Sequence, residues 1–449
     1  MPMSKICIHW FREDLRIKDN PALSSVSKHP IPVVGLYIFE NEDVTAQQVW
    51  LNASLEALKS SLQHLKIPLL FSYDAPIDIW KYLLKHHSIE QVSWCKSYTP
   101  QGIKRDYQIA KLLSEAGIPL LEMNGTLLLE PSVLKTGSGD FYKVFTPYWK
   151  LHQKVYEAPK NIPPVTPNSS TPSLRLEPLK KIQHPLIHLG KEWEPGEQGA
   201  LKKLKHFIKT AMDRYEKGRD YPARHAHSHL SPHLHFGEIS PHTIVKSCNN
   251  KAFIRELVFR DFAAQLLFHI PHLDHEPMKP QFSGWRWNNN TAPLEAWKKG
   301  KTGFPIIDAG MRELLQTGFM HNRVRMIVAS FLVKDLNIAW QKGAEWFMKR
   351  LFDADPASNS FNWQWCAGTG PDAQPFFRIF NPLLQSQKFD PEGTYIRTWV
   401  LELRDLPIPL IHAPSDDARK KCDYPHPLVN HDIVKKEALE RYRKRYRVA

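Results

Sequence analysis

Trp363 and Trp365 stand two apart in Ser358-Asn359-Ser360-Phe361-Asn362-Trp363-Gln364-Trp365-Cys366-Ala367-Gly368-Thr369-Gly370, closely flanked by amides, hydroxyls and small residues. Indoles usually fill core volume, and a Trp-rich core helix is the bland reading of this stretch. A core that buries Asn and Gln beside them must give those amides partners or a ligand. Presented outward, such rings bind another flat molecule, a nucleobase or a flavin, by stacking. A second group with chemical potential is His225, His227, His229, His233 and His235. On a strand, alternate His residues would share one face and could converge on a cation. No Cys or second carboxylate set accompanies them, so no metal site is expected. Neither a Ser-His-Asp elbow, a P-loop nor an HExxH motif occurs, which leaves hydrolase readings without support.

The scaffold that must position these residues is large. At 449 residues the chain exceeds the usual size of one core, so two domains are expected. No window approaches the roughly 18 uncharged apolar residues of a membrane helix. The N-terminus enters a strand-like run at Ile6 without a signal-peptide pattern, which points to the cytoplasm. Cys7, Cys95, Cys248, Cys366 and Cys422 are scattered and form no CxxC pair, as befits a reducing compartment. The formal charge of +14 favours phosphate-rich partners through counterion release. Fourteen Trp residues beside that charge tilt the expectation toward nucleic acid.

Over residues 1–130, short apolar runs alternate with helical periods. Ile6–Trp10, Pro32–Phe39, Pro68–Tyr73, Gln91–Cys95 and Ile118–Glu122 read as buried strands. Apolar residues at 51, 55, 58, 62 and 65 mark one helix face, and further helices are expected near 77–86 and 104–116. Strand, helix, strand, repeated, gives an α/β class with a doubly wound parallel sheet. No GxGxxG follows the first strand, so a dinucleotide there is unsupported. Residues 131–196 read as an interdomain connector, with eight prolines between Glu157 and Pro195. From 197 to 449 the periodicity is helical throughout, which gives an all-helical second domain ending in a basic helix.

Several motifs, in order, resemble the photolyase/cryptochrome family, most closely its class I cyclobutane pyrimidine dimer photolyases. They are His9–Arg16 with Asp19–Leu23, Asp213–Glu216 with Arg219-Asp220, and His227–Pro241. Lys301–Arg312, Met320–Met326, Phe352–Pro356 with the Trp363 stretch, and Pro375–Pro382 complete the match, which runs from residue 6 to about 430. The resemblance implies an N-terminal antenna-type domain and a C-terminal helical domain that binds folded FAD and DNA. It implies that Tyr215, His227, Ser228, His229, Leu230 and Ser231 hold the phosphate end of the cofactor. Arg325, Asp353, Ala354, Asp355 and Asn359 would sit by the flavin, with Asp353 pairing Arg325. Trp363, Trp340 and Trp287 match the family's electron-transfer chain, from the flavin outward.

The implied activity is repair of cyclobutane pyrimidine dimers in DNA, by electron transfer from excited reduced FAD to a flipped-out dimer. Trp365 would wall the lesion pocket, and Glu256 would hydrogen-bond the base and stabilise its radical anion. Phe259, Asn322 and Met326 would line that pocket, and Arg219, Arg260, Arg323 and Arg378 would hold flanking phosphates. The sequence departs from the pattern in places. Phe259 stands where dimer repair enzymes usually have Trp, and His227 and His229 where Thr and Arg are common. Gln101 and Gly102 occupy the Asn-Glu pair of a folate antenna, so a second chromophore of folate or deazaflavin type is possible but not assignable. Two alternatives stay open. A cryptochrome-type photoreceptor is favoured by Phe259 and opposed by Asn359, the charge and the lack of a long tail. Repair of 6-4 photoproducts would need an acid-base group, for which His321 is the candidate. A monomer is expected.

Overall fold

The computed structural model describes residues 5–40, 45–172, 178–180, 189–372, 378–408 and 410–446. Five parallel strands form one sheet in the order β3-β2-β1-β4-β5. They are β1 (Lys5–Phe11), β2 (Val33–Ile38), β3 (Leu69–Ser72), β4 (Ser88–Cys95) and β5 (Leu120–Met123). The period-2 alternation of β1 splits its side chains between the two faces. Cys7 and Phe11 face α1 (Pro21–Val26) and α2 (Ala46–Gln63). Ile6, Ile8 and Trp10 face α3 (Pro76–His86) and α4 (Pro100–Glu115). Both faces are therefore covered, which is why the strands read as continuous apolar runs. Asn20, Thr45 and Thr99 cap α1, α2 and α4, each accepting from a backbone N–H three residues on.

The stretch between the domains is pinned rather than loose where it is described. Helix Phe145–Val155 drives Phe145 and Tyr148 into the same core as helix Lys251–His269. Further along, the Asn168 amide accepts from Val33 N at 2.9 Å and donates to Val33 O and Lys66 O at 2.8 and 2.9 Å. After Gly196 the described residues are helical and build two large cores. Among the described residues, no helix is long and apolar enough to cross a membrane.

The two domains meet along a polar seam. Leu15 N donates to Phe236 O at 3.0 Å, and Arg16 donates to Gly237 O at 2.9 Å and Gly125 O at 2.7 Å. From α2, Trp50 Nε1 donates to Glu238 at 2.9 Å. Gly237 has φ +64°, and a Cβ there would overlap the Glu13 carbonyl, so this approach requires glycine. The seam's partners on the second domain, Phe236, Gly237 and Glu238, directly follow the short helix Ser231–His235.

Candidate functional site

Helix Pro356–Ala367 begins where Asp355 accepts from Ser358 N at 2.7 Å. Its two indoles point to different places: Trp363 is buried, while Trp365 is only partly so and lines the main cavity. The amide between them is structural. Gln364 donates to Leu273 O and Glu276 O, both at 2.7 Å, and accepts from Met278 N at 3.0 Å. The amides on the helix's earlier turns stay near the ligand space: Asn359 and Asn362 line cavities, with Asn359 oriented by a 3.0 Å bond to Ala344 O.

A cavity of about 460 Å³ gathers most of the expected residues. Its lining includes Tyr215, His227, Ser228, His229, Leu230, Ser231, Arg325, Asp353 and Asp355. The same cavity is lined by Arg219, Glu256, Phe259, Arg260, Asn322, Met326 and Trp365, with the Arg219 guanidinium 5.3 Å from the Tyr215 ring centroid. A smaller adjoining cavity of about 80 Å³ adds Ala354, Asn359 and Trp363 and shares Arg325, Asn322, Met326 and Asp353 with the first. Trp340 is buried in the core that holds Trp363, and Trp287 is half-buried at its edge, 5.9 Å from the Trp285 ring. The rings touching Trp363 are Phe347 at 5.0 Å and Trp297 at 6.3 Å. Gly343 makes this possible, because a Cβ there would overlap the Trp363 ring.

Electrostatically the cavity is uneven. Arg325 pairs with Asp353 at 2.9 Å and donates to Met320 O at 2.7 Å, yet the second Asp353 oxygen has no partner among the described residues. Burial, and then repulsion from His225 and Lys203, push His227 down to about 4. Burial, and then His227 and Lys203, push His229 down to about 2. His321 is pushed down to about 3 by burial and by His227 and Arg325. All three imidazoles are therefore neutral at pH 7. Arg219, lying over the Tyr215 ring, pairs with Glu256 at 2.6 Å.

The arginines differ in what they have left to offer. Arg323 lies outside the cavity lining, paired with Asp220 at 2.8 Å and stacked over Phe389. Arg260 is turned inward, donating to the carbonyls of Thr126 and Leu234. Arg378 is exposed; Pro375–Phe377 beside it lie outside the described residues. Phe259 is stacked face to face on Phe145, with centroids 3.4 Å apart. The histidine run does not form a strand: it is a loop followed by the five-residue helix Ser231–His235, with His233 bonded to Glu238 and His235 to Gln47. Among the described residues no three His, Cys, Asp or Glu side chains are grouped to hold a metal ion.

Phe319, Met320, Phe253, Leu257 and Asp372 also line the main cavity and were not singled out from sequence. Apolar residues in helices carry no signal distinguishing cavity wall from core. Asn362 could have been found, since it lies three and four residues from Asn359 and Ser358 on one helix face.

The buried, unpartnered Nδ1 atoms of His227 and His229 and the free Asp353 oxygen give a bound cofactor polar atoms to complete, so the lining suits a phosphate-bearing flavin. Comparison with known families agrees. The family described as DNA photolyase matches residues 7–168, and the FAD binding domain of DNA photolyase matches residues 253–444. The chain belongs to the DNA photolyase family, whose FAD-binding domain it carries. A deoxyribodipyrimidine photo-lyase of Agrobacterium fabrum is 42% identical over 97% of this chain and 97% of its own length. The crystal structure of a bacterial class III photolyase from Agrobacterium tumefaciens is 40% identical, with a TM-score of 0.90 over 100% of this chain and 98% of that one. A Synechocystis sp. PCC6803 cryptochrome is 28% identical, with a TM-score of 0.89 over 98% of this chain and 99% of its own.

Proposed function

We propose that this chain is a light-driven enzyme that repairs cyclobutane pyrimidine dimers in DNA. One observation carries the reading: the residues suited to a flavin and those suited to a nucleobase wall a single cavity. Tyr215, the loop His227–Ser231, Arg325, Ala354, Asp355 and Asn359 would hold FAD, with Asp353 as a polar partner. Bound and reduced, that cofactor would supply photo-excited electron donation. The chain's own part is to bind, orient and shield. A dimer must leave the duplex to enter the cavity, at the cost of unstacking. Trp365 and Met326 offer it an aromatic and a thioether wall, and Asn322 an amide. Glu256, steadied by Arg219, accepts a hydrogen bond from the base edge. Of the four arginines expected at the flanking phosphates, Arg378 is the exposed one, whereas Arg219 and Arg323 already carry carboxylates and Arg260 spends its donors on carbonyls. Arg378→Ala should then weaken binding at all sequences and lower the salt slope by about one.

The photoreceptor reading has one observation in its favour: the Phe259 ring is covered by Phe145 on one face, which limits what it can give a base. The 6-4 reading is weakened by His321, a buried ring that burial holds in its neutral form at pH 7, without the imidazolium proton that a general acid would give. The test is to illuminate reduced protein with a dimer-containing oligonucleotide and follow recovery of thymine absorbance. Recovery supports repair. No recovery with tight flavin retention moves the assignment to the photoreceptor, and recovery with a 6-4 substrate alone moves it to that lesion.

A further inference from the structure

Behind the loop His225–Ser231 lies another cavity, of about 420 Å³, which meets the main one at His227, Ser228 and His229. The His227 and His229 rings have centroids 4.0 Å apart, and His321 approaches His227 at 5.1 Å. Among the described residues, both loop imidazoles bury an Nδ1 without a hydrogen-bond partner. The fixed cations of the two linings are already engaged: Lys202 by Glu194, Lys203 by the Glu192 carbonyl, Arg325 by Asp353, Arg219 by Glu256 and Arg260 by the carbonyls of Thr126 and Leu234. The helix that follows has five residues, too short for a substantial dipole.

The charged groups facing these rings are mostly cations. Lys203, bonded to Glu192 O at 2.8 Å and lying over the Trp193 ring, and His225 face His227 and His229. Arg325 and Arg323 approach from the His321 side, both tied to carboxylates. Glu192 stands at the rim of the rear cavity, and Glu313 accepts the His321 N–H at 3.3 Å. Among the described residues no carboxylate is paired with either loop imidazole, and burial, followed by repulsion from the neighbouring His and Lys groups, keeps the rings neutral. A diphosphate anion beside the rings would reverse that balance.

We infer that His227 and His229 are the charge-matching groups for the diphosphate of FAD, so that this chain takes up a proton when it binds its cofactor. The inference rests on the flavin-binding reading of the cavity and extends it to the protonation state of the loop. A unit negative charge about 4 Å away, at an effective dielectric constant near 20, lifts an imidazole by roughly three pH units. His227, which starts at about 4, is carried close to neutrality. His229 starts at about 2 and follows it at lower pH. A group whose bound value lies above its free value adds affinity at low pH. That added affinity falls about tenfold per pH unit between the two values and is gone above the bound one.

The experiment is calorimetric titration of deflavinated protein with FAD from about pH 5.5 to 8.5, in buffers of different ionisation enthalpy, with riboflavin as the ligand lacking a diphosphate. The expected result is a Kd for FAD that rises more than tenfold from pH 5.5 to 7 and levels off above, with uptake of close to one proton near pH 6. Riboflavin should show neither effect. His227→Thr should flatten the FAD curve, and His229→Arg should tighten FAD binding at pH 8 by supplying a fixed charge. A flat FAD curve without proton uptake in the unsubstituted protein overturns the inference, as does a slope that survives in a folded His227→Thr. If FAD fails to bind at every pH, the cofactor reading falls and takes this inference with it.

Discussion

His9 at the domain seam and His227 in the cavity loop both lie below the surface, and they are served very differently. His9 is bonded through both ring nitrogens, to Ser93 at 2.8 Å and Asp14 at 3.1 Å. Asp14 also accepts from Arg12 N at 2.8 Å and Asn20 at 3.0 Å, and Asn20 in turn caps α1. That network closes on itself. In the loop, His227 and His229 each leave a buried nitrogen unpaired, and Asp353 an oxygen. Burial alone does not separate a structural polar group from a binding one; completeness of partners does.

The comparison breaks most readily at Asp14. Burial would raise its carboxyl, but the hydrogen bond and charge of His9, the Arg12 N–H and Arg16 outweigh burial and hold it well below the usual carboxylate range. Asp14→Ala strands His9, Asn20 and Arg12 N at once, and should cost about 3–5 kcal/mol in urea unfolding at pH 7. A depressed carboxylate stabilises above its unfolded value, so the deficit should shrink as pH falls below about 4. FAD affinity of the folded fraction should change little. Arg325→Ala should give the reverse pattern. It leaves the buried Asp353 carboxylate alone beside the cofactor, and should cost FAD affinity about 100-fold, or ~3 kcal/mol. The loss in unfolding free energy should be smaller. If the two variants proved alike in both measurements, seam and cavity would not be separable networks.

Glu313 sharpens the contrast because it is well bonded and still titrates. Burial raises it to about 7, against hydrogen bonds from Tyr395 and His321 N. A raised carboxyl is protonated in the folded chain while ionised in the unfolded one, so stability should fall as pH rises from 4.5 to about 7. Glu313→Gln should remove about 3 kcal/mol of pH-dependent stability over that range, read from unfolding midpoints.

Much of this was legible in sequence, for identifiable reasons. The five strands lie within a few residues of their expected places, because both faces of a parallel sheet are buried and its strands run apolar without interruption. The six-residue α1 was not, since one and a half turns leave no period to detect. Helix Phe145–Val155 was not either: in a proline-rich neighbourhood its aromatic face looks like loop until helix Lys251–His269 packs on it. Residue types marked the cavity, but not their engagement. That Arg219 is paired with Glu256, and Arg260 turned toward carbonyls, depends on contacts 37 and 134 residues away in the chain.

The smallest effect on folding belongs to the substitution with the sharpest functional prediction. Trp363 packs against Phe347 and Trp297, in space that Gly343 leaves open. Phe keeps an aromatic ring there, so Trp363→Phe should cost only about 1 kcal/mol. A phenyl ring is far harder to oxidise than an indole. Photoreduction of the oxidised flavin should therefore stop in this variant, while repair by chemically pre-reduced protein continues at its usual yield. Trp340→Phe should do the same from the next position outward in the proposed series. Normal photoreduction in Trp363→Phe beside a block in Trp340→Phe would mean that charge reaches Trp340 without passing through its proposed neighbour, and the series order would have to be abandoned.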